Sequence, residues 1–516
     1  MPGGRSLFRW LYLIGLGIIA VSLPTSYFGM SLGQFWVLGA WLLEGLQRRD
    51  LGHRFSMGFT TPAVLAFLGY LILHAIGLLW TENMGWGLDL CRILLPILLL
   101  GIVLSTSDPL SPKELRTILL LFAWSAVVGS LIGFLITSDA VAPGAYRDRS
   151  PFISHIRLGL MLVLAVVVLL HHWPRPWWKR AGHLLGVGVC LFLLRELGSL
   201  QGALLLFLLA WAAVWRTTRR SAGWSRWGVR LLLVMPVAVV LLQVRTAIID
   251  QRHPQDFVPG RMSAGGELYW NDEDAWQVEN GHPVWMEVAP VELARAWRAR
   301  TGLPLNGRDA RGEPLYGTLV RYMASKHLTK DSVGMLSMSD VDLQHVQQGF
   351  VNVDQDRRGP LRRRIDEVVY ELDRFHHTGD VTSSSLAMRL EFWRTGLYLA
   401  QRHWVIGVGT GDTQLAFDRA YEELGSSVVT EWGYRGHQQY LTLWISFGVF
   451  GFLLAMVSWV APAVITGGWR HPVYLAFAFI FLVSCFTDDT LETQPGATFY
   501  AFFQALFLFA VRGKAD

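Results

Sequence analysis

The chain has 516 residues, of which 52% are hydrophobic and only 16% charged, and its mean hydropathy is +0.34. That balance is too apolar and too charge-poor for a soluble globular protein, and it excludes one. The net charge of +5 comes largely from Lys and Arg in short loops between apolar runs, so a nucleic-acid partner has no support.

Apolar stretches near the length that crosses a bilayer as a helix recur at 8–25, 30–47, 60–80, 87–105, 115–137, 154–172, 183–197, 199–216, 229–247, 438–466, 472–487 and 495–511. The runs are continuous rather than alternating, which selects helices over a closed barrel. The predicted fold is a polytopic α-helical membrane protein with about twelve transmembrane helices. The expected organisation is an N-terminal transmembrane region at 1–247 with about nine helices, a soluble domain at 248–436, and a C-terminal transmembrane region at 437–516 with about three. The large loop thus falls between helices 9 and 10. Arg5, Arg9, Arg48, Arg49, Arg54, Lys113, Arg116, Arg175, Lys179, Arg180, Arg470, Arg512 and Lys514 all fall on one side of this arrangement. That side is the cytoplasm by the positive-inside rule, so 248–436 faces out.

The three cysteines, Cys91, Cys190 and Cys485, lie in or beside apolar runs, so the external region does not depend on disulfides. Within that region, Val291 to Trp297 and Gly317 to His327 read as amphipathic helices. Arg357, Arg358, Arg362, Arg363 and Arg364 form a basic cluster, either a solvated helix face or a contact for anionic lipid or a phosphorylated acceptor. Leu386, Leu390, Trp393, Leu397 and Ala400 make one apolar helical face after Ser383-Ser384-Ser385, whose hydroxyls suit N-caps. A helix over 385–403 is expected along the outer membrane surface, with Arg389 near its start. Gly407-Val408-Gly409-Thr410-Gly411-Asp412 follows. It is neither a Walker pattern nor a dinucleotide fingerprint, and it is read as a structural turn rather than a phosphate cradle.

Ionisable residues at membrane depth are costly and therefore functional candidates. Arg92, His155, Arg157, Arg195, Glu196, Asp488, Asp489 and Glu492 all fall near the outer leaflet, as do Arg389 and His437. His437 stands at the mouth of the tenth span in Gly436-His437-Gln438-Gln439-Tyr440-Leu441. Histidine exchanges a proton near neutral pH, and arginine grips phosphate with a planar fork of donors. A histidine fixed at a helix start can also serve as a structural pin. No His, Cys, Asp or Glu cluster has metal-ligand spacing, so no metal or other cofactor is expected.

Arg389-Leu390-Glu391-Phe392-Trp393, the glycine-rich turn, His437-Gln438-Gln439-Tyr440-Leu441, and then Gly448 and Gly451 together resemble the bacterial O-antigen ligase/polymerase superfamily. Asp488-Asp489-Thr490-Leu491-Glu492-Thr493-Gln494 and Ser154-His155-Ile156-Arg157-Leu158 resemble a subgroup with an enlarged periplasmic loop. The resemblance implies a GT-C-like glycosyltransferase of the bacterial inner membrane, with its active site facing the periplasm. It implies a glycan on undecaprenyl diphosphate as donor, and lipid A–core, another glycan or a protein as acceptor, amid membrane lipids. It assigns His437 as the base and Arg389 to the donor diphosphate. The chain departs from the family at Gln438, where Asn is frequent, and at Gln201, where an arginine is. The second diphosphate arginine then falls to Arg157, Arg195 or Arg92, with His155, Gln201, Gln438, Asp489 and Glu492 as supporting residues. O-antigen ligase, polymerase and protein O-oligosaccharyltransferase all remain open. Readings of other classes are a transporter, for which polar residues should run through the whole bilayer depth, and an envelope scaffold.

Overall fold

The computed structural model describes residues 7–137, 150–218, 224–249, 260–272, 275–355, 358, 360–379, 385–426, 428 and 435–511. The chain forms two compact units, residues 1–217 with 391–516 and residues 218–390.

The first unit opens with α1 (Leu7–Ser22), α2 (Tyr27–Arg48), α3 (Leu51–Thr60), α4 (Pro62–Gly77) and α5 (Met84–Thr106). It continues with α6 (Pro112–Thr137), α7 (His155–His171), α8 (Trp177–Glu196) and α9 (Leu200–Thr218). Hydropathy does not announce α3, a short amphipathic helix whose buried Arg54 pairs with Glu44 at 3.1 Å and Asp50 at 2.8 Å. The ends are fixed by ordinary capping chemistry. Ser26 accepts a hydrogen bond from the Gly29 amide at the start of α2, Asn83 accepts one from Trp86 at the start of α5, and proline begins α4.

The second unit holds α10 (Trp224–Ile249), a hairpin of β1 (Val278–Glu279) and β2 (His282–Pro283), α11 (Pro290–Thr301), α12 (Leu315–Ser325), α13 (Ser332–Leu336), α14 (Asp340–Gln347) and α15 (Pro360–Thr378). The hairpin is antiparallel, with Val278 opposite Pro283. Val284, Val288, Leu293, Trp297, Leu319, Tyr322 and Met323 form a core without disulfides among the described residues. Polar anchors lock it. Glu292 accepts hydrogen bonds from the amides of Gly265 and Ser332, and Ser339 with Asp342 forms a capping box on α14. The buried Lys330 ammonium donates to the carbonyls of Pro283 and Met286, both at 3.0 Å. Of the basic cluster, Arg358 and Arg362 both bind Asp366, while Arg357 and the side chains of Arg363 and Arg364 lie outside the described residues.

Helix α16 (Ser385–Arg402) starts in the second unit and enters the first at Glu391; Ser383 and Ser384 lie outside the described residues. The first unit then closes with α17 (Thr413–Glu423), α18 (Gln439–Thr466), α19 (Pro472–Ser484) and α20 (Gln494–Leu508). Helix α20 is buried from Pro495 through Leu508, and α7 is buried from Arg157 through Val166. These two helices therefore lie inside the bundle, mostly apolar, with Arg157, Thr498 and Gln504 as buried polar exceptions. Phe477, Phe499, Tyr500, Phe503 and Phe507 interlock there, with ring centroids 5.4 Å apart for Phe477 and Phe499 and 5.2 Å for Phe499 and Phe503.

All twelve apolar runs coincide with helices. Among the described residues, five helices are long and apolar enough to cross a membrane: α4 with the turn continuing it to Trp80, α5, α6, α9 and α18. Apolar helices at Leu7–Ser22, His155–His171, Ala238–Ile248 and Pro472–Ser484 are shorter. The fold is thus mostly helical and bears candidate membrane spans.

Candidate active site

Helix α18 begins where the chain must turn sharply, and His437 makes that turn. Its φ is 42°, in the left-handed region that non-glycine residues seldom occupy. Gln438 follows as N-cap, its side chain accepting a hydrogen bond from the Leu441 amide. Gln439 is buried and stitches two segments together: its amide donates to Cys485 O at 2.9 Å and its side chain accepts from the Leu491 amide at 2.8 Å. The α19–α20 connection, which carries Asp488, Asp489 and Glu492, is thereby pinned beside His437.

The charges around His437 form a chain. Its Nδ1 lies 3.8 Å from Asp488 Oδ1, too far for a hydrogen bond. The other Asp488 oxygen pairs with Arg157, whose guanidinium also donates to the Asp489 carbonyl at 3.2 Å. Arg157 Nε has no hydrogen-bond partner among the described residues. Asp489 accepts from the Thr442 hydroxyl at 2.7 Å. Arg435 lies 2.6 Å from Glu492 as a charge contact rather than an aligned hydrogen bond, and its guanidinium sits 5.0 Å above the Trp86 ring. The Phe392 ring lies 5.9 Å from the His437 ring, which is itself about half exposed.

Burial disfavours all three carboxylates, and their neighbours decide the outcome. For Asp488, burial is outweighed by His437 and Arg157, which hold it below the usual carboxylate range. For Asp489, burial wins over Arg435 and Thr442, and its acidity is weakened. For Glu492, burial prevails over Arg435, reinforced by the charge on Asp489, and pushes it up to about 7. The carboxylate next to the histidine is therefore held below its ordinary range while the other two are pushed above theirs. Environments that pull titratable groups apart in this way are typical of functional sites.

The other sequence candidates are placed differently. Arg92 is exposed and pairs with Asp89 at 3.0 Å. Arg195 is exposed at the end of α8. Arg389 is exposed on the first turns of α16, in the second unit. His155 opens α7 two residues before Arg157. Gln201 has a buried amide nitrogen with no hydrogen-bond partner among the described residues. Arg435 was not a candidate from the sequence; the available signal was its place two residues before His437.

The glycine-rich turn spends its amides on structure. Val408 and Gly409 donate to the carbonyls of Ile445 and Ser446, Thr410 to Gly77, and Gly411 to the Thr81 hydroxyl. Asp412 receives the amides of Glu82 and Asn83, both at 2.7 Å. These donors are used, so no row of amides is left to cradle a phosphate.

Residues 333–456 match the family model Wzy_C, O-antigen ligase. This segment contains Arg389, the glycine-rich turn, Arg435 and His437, and it supports a place in the O-antigen ligase-like superfamily, which comprises glycosyltransferase-like membrane enzymes. No curated protein matches the chain. Asp488, Asp489, Glu492 and Arg157 lie beyond the O-antigen ligase match, so the carboxylate beside His437 and the arginine paired with it come from outside it.

Proposed function

We propose that this protein is an O-antigen ligase of the bacterial inner membrane, transferring a glycan from undecaprenyl diphosphate to a hydroxyl of lipid A–core on the periplasmic face. The observation carrying this reading is the charge chain His437–Asp488–Arg157 at the mouth of α18, beside the partly buried Arg435. His437 takes the proton of the acceptor hydroxyl as its oxygen attacks the anomeric carbon. Asp488 stabilises the imidazolium that forms, as a carboxylate does behind a catalytic histidine. The bond from the anomeric carbon to the diphosphate oxygen breaks, and its electron pair leaves with undecaprenyl diphosphate. Arg435 and Arg389 are the residues we assign to that developing charge. Arg157 is committed to Asp488 and serves as a positioning residue. A single displacement inverts the anomeric centre.

The test must preserve the left-handed turn. Asparagine tolerates that backbone far better than alanine, so His437→Asn removes the base and keeps the turn. Purified His437→Asn is expected to keep the wild-type melting temperature and donor affinity while turnover falls about 10²–10⁴-fold. Near-normal turnover in a folded variant would sink the mechanism. In a deletion strain, lipid A–core without glycan alongside long chains retained on undecaprenyl diphosphate marks a ligase; core bearing a single repeat marks a polymerase.

A further inference from the structure

A groove of about 680 Å³ lies between α6 and α8 in the first unit, within the size range of small-ligand sites. Lys113 and Arg116 on the first turns of α6, and Lys179 on the first turn of α8, stand around it, and all three are exposed. No Asp or Glu lines the groove, and no carboxylate pairs with these cations among the described residues. The acids near them in sequence are engaged elsewhere, Glu114 with Arg9 at 2.8 Å and Asp108 with Arg48 at 3.5 Å. Three unmatched positive charges from two helices thus border one space, an arrangement suited to an anion.

Further along both helices the lining turns apolar. Leu120 and Trp124 belong to the α6 wall, and Gly182 leaves the α8 wall open, since a Cβ there would meet no atom within 4 Å. The buried His183 is fixed by a 2.9 Å bond between Nδ1 and the Leu169 carbonyl, which can only accept. The proton therefore sits on Nδ1, and Nε2 has no hydrogen-bond partner among the described residues. The rim is held in shape by Arg180, which donates to the Pro174 carbonyl at 3.0 Å. Trp178 at the rim, with Leu184 and Leu185 beyond it on α8, is more than half exposed, as befits residues covered by lipid and its headgroups.

We infer that this groove binds an anionic phospholipid, its phosphate among Lys113, Arg116 and Lys179 and an acyl chain along Leu120, Trp124 and Gly182. Charge at one end and apolar wall at the other match the lipid's own division, and basic pockets between membrane helices suit anionic headgroups. A free phosphate or nucleotide would use the charges and leave the apolar half facing water. Lysines and arginines that only set topology need neither a groove nor an open face at Gly182. The positive-inside rule puts this end of α6 and α8 in the cytoplasmic leaflet. Arg157 stands in the first turn of α7 and the groove lies past its last, so about 20 Å of helix separates them. The site is distinct from the residues around His437, and its existence does not depend on the transfer reading.

The test uses the full-length protein in neutral detergent and native mass spectrometry. The probes are dimyristoyl phosphatidylglycerol, dimyristoyl phosphatidylcholine and glycerol 3-phosphate, which carries the charge without the chains. Phosphatidylglycerol is expected to bind saturably and about ten-fold tighter than phosphatidylcholine, while glycerol 3-phosphate does not bind at the same concentrations. Gly182→Phe fills the groove, keeps every charge and replaces a poor helix former, so it should keep the melting temperature and weaken phosphatidylglycerol binding about ten-fold. Gly182→Leu is the smaller filler to use if that variant melts early. Changing Lys113, Arg116 and Lys179 together to Gln should weaken binding as much, and His437→Asn should bind as wild type. Equal affinity for the two lipids, glycerol 3-phosphate binding as tightly as the lipid, or unchanged affinity in a folded Gly182 variant, which would reduce the effect to general surface charge, would overturn the inference.

Discussion

The glycine-rich turn and the His437 corner meet the same helix, α18, and treat polar groups in opposite ways. At the turn, Asp412 is matched by two amides at 2.7 Å, and the amides of residues 408–411 are all bonded. At the corner, Arg157 keeps an unmatched Nε, His437 is half exposed in an uncommon backbone conformation, and Glu492 meets Arg435 out of alignment. Buried polar groups are normally satisfied, and exceptions call for an explanation. The contrast separates a place whose polar groups are matched from a place where some are left over.

The comparison is broken most severely by Asp412→Ala. Two part-buried amides, those of Glu82 and Asn83, would lose a charged acceptor, costing about 2–3 kcal/mol of stability. The expected outcome is a large fall in melting temperature with turnover per folded molecule preserved, the reverse of His437→Asn. A stable but inactive Asp412→Ala would erase the distinction.

A smaller effect sharpens it through pH. In the folded protein burial pushes the carboxyl of Glu492 up to about 7, from its ordinary value of 4.5. Between those values the unfolded chain has released a proton that the folded chain retains, so Glu492 makes stability fall as pH rises. Glu492→Gln should flatten that part of the stability profile, measured by thermal melts from pH 4.5 to 7. An unchanged profile would refute the proposed titration.

The smallest effect is expected at Arg92. It pairs with Asp89 across 3.0 Å, and both side chains are more than half exposed. Such pairs contribute less than about 1 kcal/mol. Arg92→Ala should shift the melting temperature by no more than about 2–4 °C and leave turnover within about two-fold of wild type, and a larger loss of turnover would bring Arg92 back into the donor site.

Helices were legible because apolar length alone writes them; partnership was not. Arg157 and Asp488 stand 331 positions apart, and no local pattern tells that a guanidinium in α7 will meet a carboxylate after α19. Arg435 escaped notice because a loop arginine has no periodicity to mark it. Gln438 was read as a possible supporting residue, and its side chain proves to cap α18. The glycine-rich turn was readable by exclusion, since it lacks the sequence context of a phosphate loop, but its acceptors on α4 and α18 could be named only from the fold.

Helix α18 is broken at Gly448, whose φ of 64° and ψ of −171° leave the helical path where any Cβ would strike the Val405 carbonyl. A break at membrane depth exposes backbone groups that lipid cannot satisfy. Here Trp404 accepts the Val449 amide at 2.7 Å, and Ile445 and Ser446 lend their carbonyls to Val408 and Gly409. Gly77 and Thr81, which tether the same strap, belong to still earlier sequence. During synthesis, then, every group that mends this break has left the ribosome before α18 does. The half of the helix that follows His437 is delivered to a mould already made, and a defect in the strap would surface first as failed biogenesis rather than as slow chemistry.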